Sequence, residues 1–227
     1  MSTLIYFSEI SILTGIICAV IISIDVYRNP QAMGIMNIVW PVTALYAGPV
    51  GLAAYYYIGR KKMHHQMPHR AMPVAGAEKR PFWQTVVIGT LHCGAGCTLG
   101  DIFSEIFLWY LPVTLFGSAL YGGWLMNFVF AFCIGIVFQY YAIKPMRRVT
   151  AYEALTLAIK ADALSLTFWQ IGMYGWMAFC FFVIFNDRPE SNHLVFWWMM
   201  QIAMVIGFLT AYPVNWWLIK KGIKEAM

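Results

Sequence analysis

The stretch LHCGAGCTLGDIFSE, Leu91 to Glu105, gathers a histidine, two cysteines and two carboxylates within fifteen residues. On a helix, Cys93, Cys97, Asp101 and Glu105 recur every four residues and line up as a slowly turning ridge. His92 stands about 100° round from Cys93, so one imidazole and two sulfurs can share a site if a neighbouring helix completes it. Thiolate and imidazole suit a soft transition metal, copper first, with Asp101 taking the proton a thiol gives up or orienting a ligand. The same two thiols would serve a membrane thiol oxidoreductase. A disulfide, however, needs Cβ atoms about 3.8 Å apart, which a spacing of four on a helix meets only by distortion. A third reading is packing, because Gly89, Cys93, Gly96, Cys97 and Gly100 make a small-residue face with a GxxxG spacing.

Other residues point to the same chemistry. Met63, His64, His65, Met67, His69 and Met72 fall within ten residues and combine thioether with imidazole, a mixture that suits copper. Met173 and Met177, with Cys180, share one side of a helix, as do Met200 and Met204, and either set could hand on a soft cation or simply fill helix interfaces. Glu9 and Glu105, with Asp101, would make a relay for proton-coupled transport. Asp25 and Asp162 are expected in the headgroup region, solvated. Haem is disfavoured, since His92 alone lies deep and two axial histidines at one depth are wanted.

These residues must be held by membrane-spanning helices. The 227-residue chain is 61% hydrophobic and 11% charged, with mean hydropathy +0.65, too apolar for a water-soluble fold. About 20 apolar residues cross a bilayer, and apolar runs with their breakers give six spans, at 4–24, 36–58, 83–110, 120–142, 162–185 and 194–219. Of the fifteen Lys and Arg, thirteen follow spans two, four and six, leaving Arg28 and Arg188 for the other side. The positive-inside rule then places both termini in the cytoplasm, together with the His/Met-rich loop 59–82. The net charge of +5 is thus a topology signal, and no nucleic-acid partner is expected. Tyr56 with Tyr57, Tyr140 with Tyr141 and Trp216 with Trp217 precede the three basic ends as an interfacial aromatic belt. Residues 144–160 read as a surface helix or a plain connector. Pro41 and Pro49 should bend span two and free carbonyls near its middle.

At LHCGAGCTLGDI (Leu91–Ile102), QYYAIKPM (Gln139–Met146) and KADALSLTFWQIGMYGWM (Lys160–Met177) the chain resembles a family of bacterial membrane proteins, domain of unknown function 4396. The resemblance covers roughly residues 80–220 and implies that HCGAGC and Asp101 are the family's defining site, without an activity to carry over. The Met/His loop lies outside it. The expectation is therefore an all-α, polytopic transmembrane helix bundle forming a single domain over residues 1–227. It would sit in the bacterial inner (plasma) membrane and bind or transport a copper ion through His92, Cys93, Cys97, Asp101, Met173 and Met177. The alternatives are the thiol oxidoreductase and a non-catalytic assembly factor, so enzymatic activity stays open. Expected partners are the lipid bilayer and the metal ion, with a homo-oligomer or a larger membrane complex as further assembly.

Overall fold

The structure is a computed structural model describing residues 2–31, 33–60, 80–147, 149–185 and 191–224. It is all-α: α1 (Ser2–Arg28), α2 (Met36–Ala54) continued by a π-turn (Tyr55–Gly59), α3 (Phe82–Tyr110), α4 (Ala119–Arg147), α5 (Ala151–Phe179) continued by a π-turn (Cys180–Ile184), and α6 (Leu194–Lys220). The expected six apolar helices are all present, each long and apolar enough to cross a membrane, and the protein is a multi-pass membrane protein. The fifth is longer than expected. It begins at Ala151, because Thr150 and Glu153 form a reciprocal capping box that starts the helix there, so residues 151–160 belong to α5 and not to a separate surface helix.

The second helix does more than bend. At Gly48 the backbone leaves helical geometry (φ 52°, ψ −130°), immediately before Pro49, and the two halves fold back on each other. Trp40 meets Tyr55 edge to face at 5.6 Å, and a Cβ on Gly59 would lie 2.8 Å from the Trp40 indole. In a straight helix residues 40 and 59 would stand about 28 Å apart. Pro49 lacks the N–H that the Leu45 carbonyl would accept, and the amide of Gln201 on α6 donates to that carbonyl instead, at 2.6 Å. The expected carbonyl release at Pro49 is thus present, and it closes the tip of a helical hairpin. At the hairpin's open end Asp25 of α1 accepts from the Tyr55 hydroxyl at 2.6 Å and pairs with Arg60 at 3.0 Å. The expected solvated Asp25 is instead the tie between α1 and the returning arm.

This path changes the relation of the chain ends. Val39, Trp40 and Ile58 of the hairpin share one core with Ile22 and Val26 of α1 and with Ile88 and Leu91 early in α3. Where α3 begins α6 ends, with Phe82 against Trp216 at 4.7 Å and Gly89 beside Ile219. The Arg28 end of α1, both ends of the hairpin and the last turn of α6 therefore occupy one end of the bundle, here the basic end. The first turns of α1 run toward the other end, where Ser11 donates to Gln201 at 2.7 Å. Both termini on one side followed from six full crossings, and it does not follow from a helix that returns to its starting end.

α3 to α6 form the centre. A Cβ on Gly96 would fall 3.0 Å from the Gly135 Cα, and one on Gly100 2.4 Å from the Ala131 Cα, so α3 and α4 touch backbone to backbone along the expected small-residue face.

Candidate functional site

That close approach carries the inward ridge of α3 through the middle of the bundle. His92, Cys93, Cys97, Asp101, Ser104 and Glu105 are all buried. Cys93 and Cys97, about 16 and 22 Å along the helix from Phe82, interact with each other, and the Tyr46 hydroxyl near the hairpin tip, beside Thr43, lies within electrostatic reach of both. The two thiols are free and the α3 backbone is helical throughout, so a disulfide between them would have to break a helical turn. Asp101 is a turn further on, close to Glu105, and neither of its carboxylate oxygens has a hydrogen-bond partner.

Glu105 opens onto a narrow cavity with Asn127 of α4, Met173, Tyr174 and Met177 of α5, and Met200 of α6. Its volume of about 10 Å³ is room for one water molecule. Trp124 and Tyr174, stacked at 5.3 Å with the tyrosine hydroxyl on the Trp124 carbonyl, separate it from an apolar groove of about 560 Å³ lined by Leu115, Phe116, Tyr121 and Phe128. Met204 accepts from the Thr98 hydroxyl at 3.7 Å. Met173, Met177, Met200 and Met204 thus share one core with Cys93 and Cys97, as their spacing suggested.

His92 departs from expectation. Its ring stands edge-on to Phe138 at 5.8 Å, bonded to the Phe138 backbone and within reach of the Lys224 charge. Among the described residues no three His, Cys, Asp or Glu side chains gather closely enough to hold a metal ion between them, so the expected His92, Cys93, Cys97 cluster is not formed. The reason is angular: 100° of helix turn carries the imidazole toward α4 and the end of α6. Glu9 is half-buried on α1, which packs chiefly on α2 and α6, so it is not brought to Asp101. Met63, His64, His65, Met67 and His69 lie outside the described residues.

Sequence reasoning missed the basic half of the polar interior. Asp162, expected in the headgroups, is fully buried and paired at 3.1 Å with Lys224, also fully buried. Asn215 donates to Ser165 at 2.7 Å, and the Gln139 amide is buried without a partner. The signal was present in KADALSL, where an aspartate stands among apolar residues, but it reads as interfacial when the span is started at 162.

A membrane helix bundle with a continuous buried polar file along one central helix is the class of protein these features define. The file lies within residues 82–224, which match the model of the family Domain of unknown function (DUF4396), and the chain belongs to that family. Neither the curated proteins nor the solved structures contain a match.

Proposed function

We propose that the protein binds and passes a soft monovalent metal cation, cuprous copper first, through the interior of α3–α6. The observation that carries this reading is the inward ridge of α3, where Cys93 and Cys97 lie buried two turns and one turn from Asp101 with five buried thioethers in the same core. Soft sulfur donors select such an ion. A set short of four convergent ligands suits a relay of low coordination number better than a closed structural zinc site. The thioethers beside Glu105 receive the cation, the thiols hold it at mid-membrane, and Asp101 takes the proton released when a thiol binds. Sulfur spaced along the file favours transfer over permanent storage.

The hairpin supports an orientation as well. With Arg28 returned to the basic end, thirteen and one make fourteen of the fifteen Lys and Arg on that side, and Arg188 remains opposite. The basic end therefore faces the cytoplasm and the N-terminus faces outward, in the inner membrane of a bacterium. Silver(I), a stable soft monovalent ion, is the practical probe. Full-length protein in detergent should retain roughly one silver ion per chain, with Cys93→Ser, Cys97→Ser and the double variant losing tenfold or more in affinity. Unchanged binding in the double variant would sink the reading.

A further inference from the structure

A second buried polar cluster lies at the basic end of the file, below the thiols. Beyond α6 the chain reverses at Gly222 (φ 70°), where the amides of Ile223 and Lys224 both donate to the Leu218 carbonyl at 3.0 and 3.3 Å. This turn sends the Lys224 side chain into the bundle, while Lys220 and Lys221 beside it stay exposed. Its Cε passes Gly89, and Nζ donates to Asp162 Oδ1 at 3.1 Å with both side chains at 0% exposure. Asp162 Oδ2, beside Gly135 of α4, the oxygen of Asn215, whose amide is bonded to Ser165, and both amide atoms of Gln139, one turn on from Gly135, are buried without hydrogen-bond partners, and the His92 ring, bonded to the Phe138 backbone, lies within reach of the Lys224 charge.

A purely structural account fits poorly. Removing two ions from water is expensive, and apolar residues of similar volume usually stabilise a core at least as well as a buried pair does. The unsatisfied oxygens and nitrogens add to that expense instead of offsetting it. What the cluster does offer is one negative charge and neutral oxygen donors from Asn215 and Gln139. That charge matches a single monovalent cation, and a divalent ion would leave an uncompensated charge in a low-dielectric site.

Resting on the reading of this interior as a cation path, we infer that the polar cluster at Asp162 is a second monovalent-cation site, held in this structure by the chain's own Lys224 ammonium, which a cargo ion displaces when it passes the basic end. Lys224 is suited to that task because it hangs from a four-residue turn after the last helix, and can withdraw without moving any spanning helix. Gly89 provides the room beside α3 through which its methylenes enter.

Thallium(I) is the probe, used with full-length protein in detergent. Lys224→Met leaves Asp162 without its internal cation and should bind roughly one thallium ion per chain at least tenfold more tightly than wild type, with the gain lost in Lys224→Met combined with Asp162→Asn. Equal thallium binding in the single and double variants overturns the inference. Should Lys224→Met fail to fold, wild-type protein decides through amine-reactive labelling. Lys224 should react at least tenfold more slowly than Lys220 and Lys221, and saturating thallium should raise its rate toward theirs. Protection that does not change across the thallium titration overturns the inference too. Silver binding at Cys93 and Cys97 is read separately, so its loss with the thallium result intact removes the thiol reading alone, and the converse removes this site alone.

Discussion

The N-terminal pair, α1 with the α2 hairpin, and the α3–α6 unit that the family shares manage polar side chains in opposite ways. In the pair most are closed locally, with Ser11 reaching across to Gln201: Ser8, Thr14 and Ser23 each donate to the carbonyl four residues back, and Asp25 holds both Tyr55 and Arg60. In the family unit Thr90, Thr98 and Thr167 are closed in the same way, but others are gathered at the centre and left open, among them Asp101, Gln139 and Gln170. Burial singles out one helix of the family unit, since the most apolar window of α3 is 78% buried whereas those of the other five helices are 28–44% buried. A helix facing lipid must satisfy its own polar groups. A helix at the centre can present them to something that enters, and the pair's contribution to that centre is confined to the hairpin tip, where Tyr46 reaches the thiols.

The two ion pairs are the sharpest way to test this division, and they should give the largest contrast. Asp162–Lys224 is fully buried, whereas the Arg60 side chain facing Asp25 is 45% exposed. Lys224→Met leaves a buried charge unpaired and should lower stability by about 3–5 kcal/mol in the absence of thallium. Arg60→Met, by contrast, should cost about 0–1 kcal/mol, because solvent already screens that pair. Thermal unfolding in detergent measures both. Equal losses would mean that the two regions treat charge alike, and the contrast would fall.

Packing should separate the regions by a smaller margin. Gly100→Val drives carbon into the Ala131 backbone, which cannot swing aside as a side chain could, and should destabilise by about 3 kcal/mol. Gly175 on α5 has nothing within 4 Å of a Cβ, so Gly175→Ala should be neutral or slightly stabilising. Fluorescence-detected gel filtration after a heating series reads both, and an intact peak for Gly100→Val would show that α3 and α4 are less tightly joined than their glycines indicate.

How far the sequence discloses this arrangement depends on the kind of signal. Apolar runs mark all six helices, because length and hydropathy are local properties. The ridge of Cys93, Cys97, Asp101 and Glu105 is likewise legible, since a spacing of four fixes a helical face whatever packs against it. Three features escape. His92 adjoins Cys93 in sequence, and its separation in space depends on which helix lies 100° round. Asp162 and Lys224 are 62 residues apart, and nothing local announces that a turn at Gly222 will bring them together. The hairpin is half-legible: Pro41 and Pro49 announce a distortion, but a bend and a full reversal differ only in the backbone of Gly48 and in Gln201 on a distant helix that caps the freed carbonyl.

That reversal yields the last energetic prediction, and its consequence for sidedness is large. Gly48 holds φ at 52°, a region that L side chains rarely adopt, with no atom within 4 Å of a Cβ, so Gly48→Ala meets backbone strain and no clash. The expected loss is about 1–3 kcal/mol in the same unfolding assay. On the proposed orientation, in which α1 and α3–α6 cross fully and the hairpin returns to its starting side, reporter tags at the two chain ends of the wild-type protein should lie on opposite faces of the membrane, the C-terminal one inside. In Gly48→Ala the tags should keep that arrangement, because Pro49 still withholds the N–H that a continuous helix would need. Gly48→Ala combined with Pro49→Ala removes both obstacles to a straight helix. Two tags on one face in wild-type protein would return α2 to a full crossing, and would place the Asp25–Arg60 pair on opposite sides of a bilayer that its 3.0 Å separation does not allow.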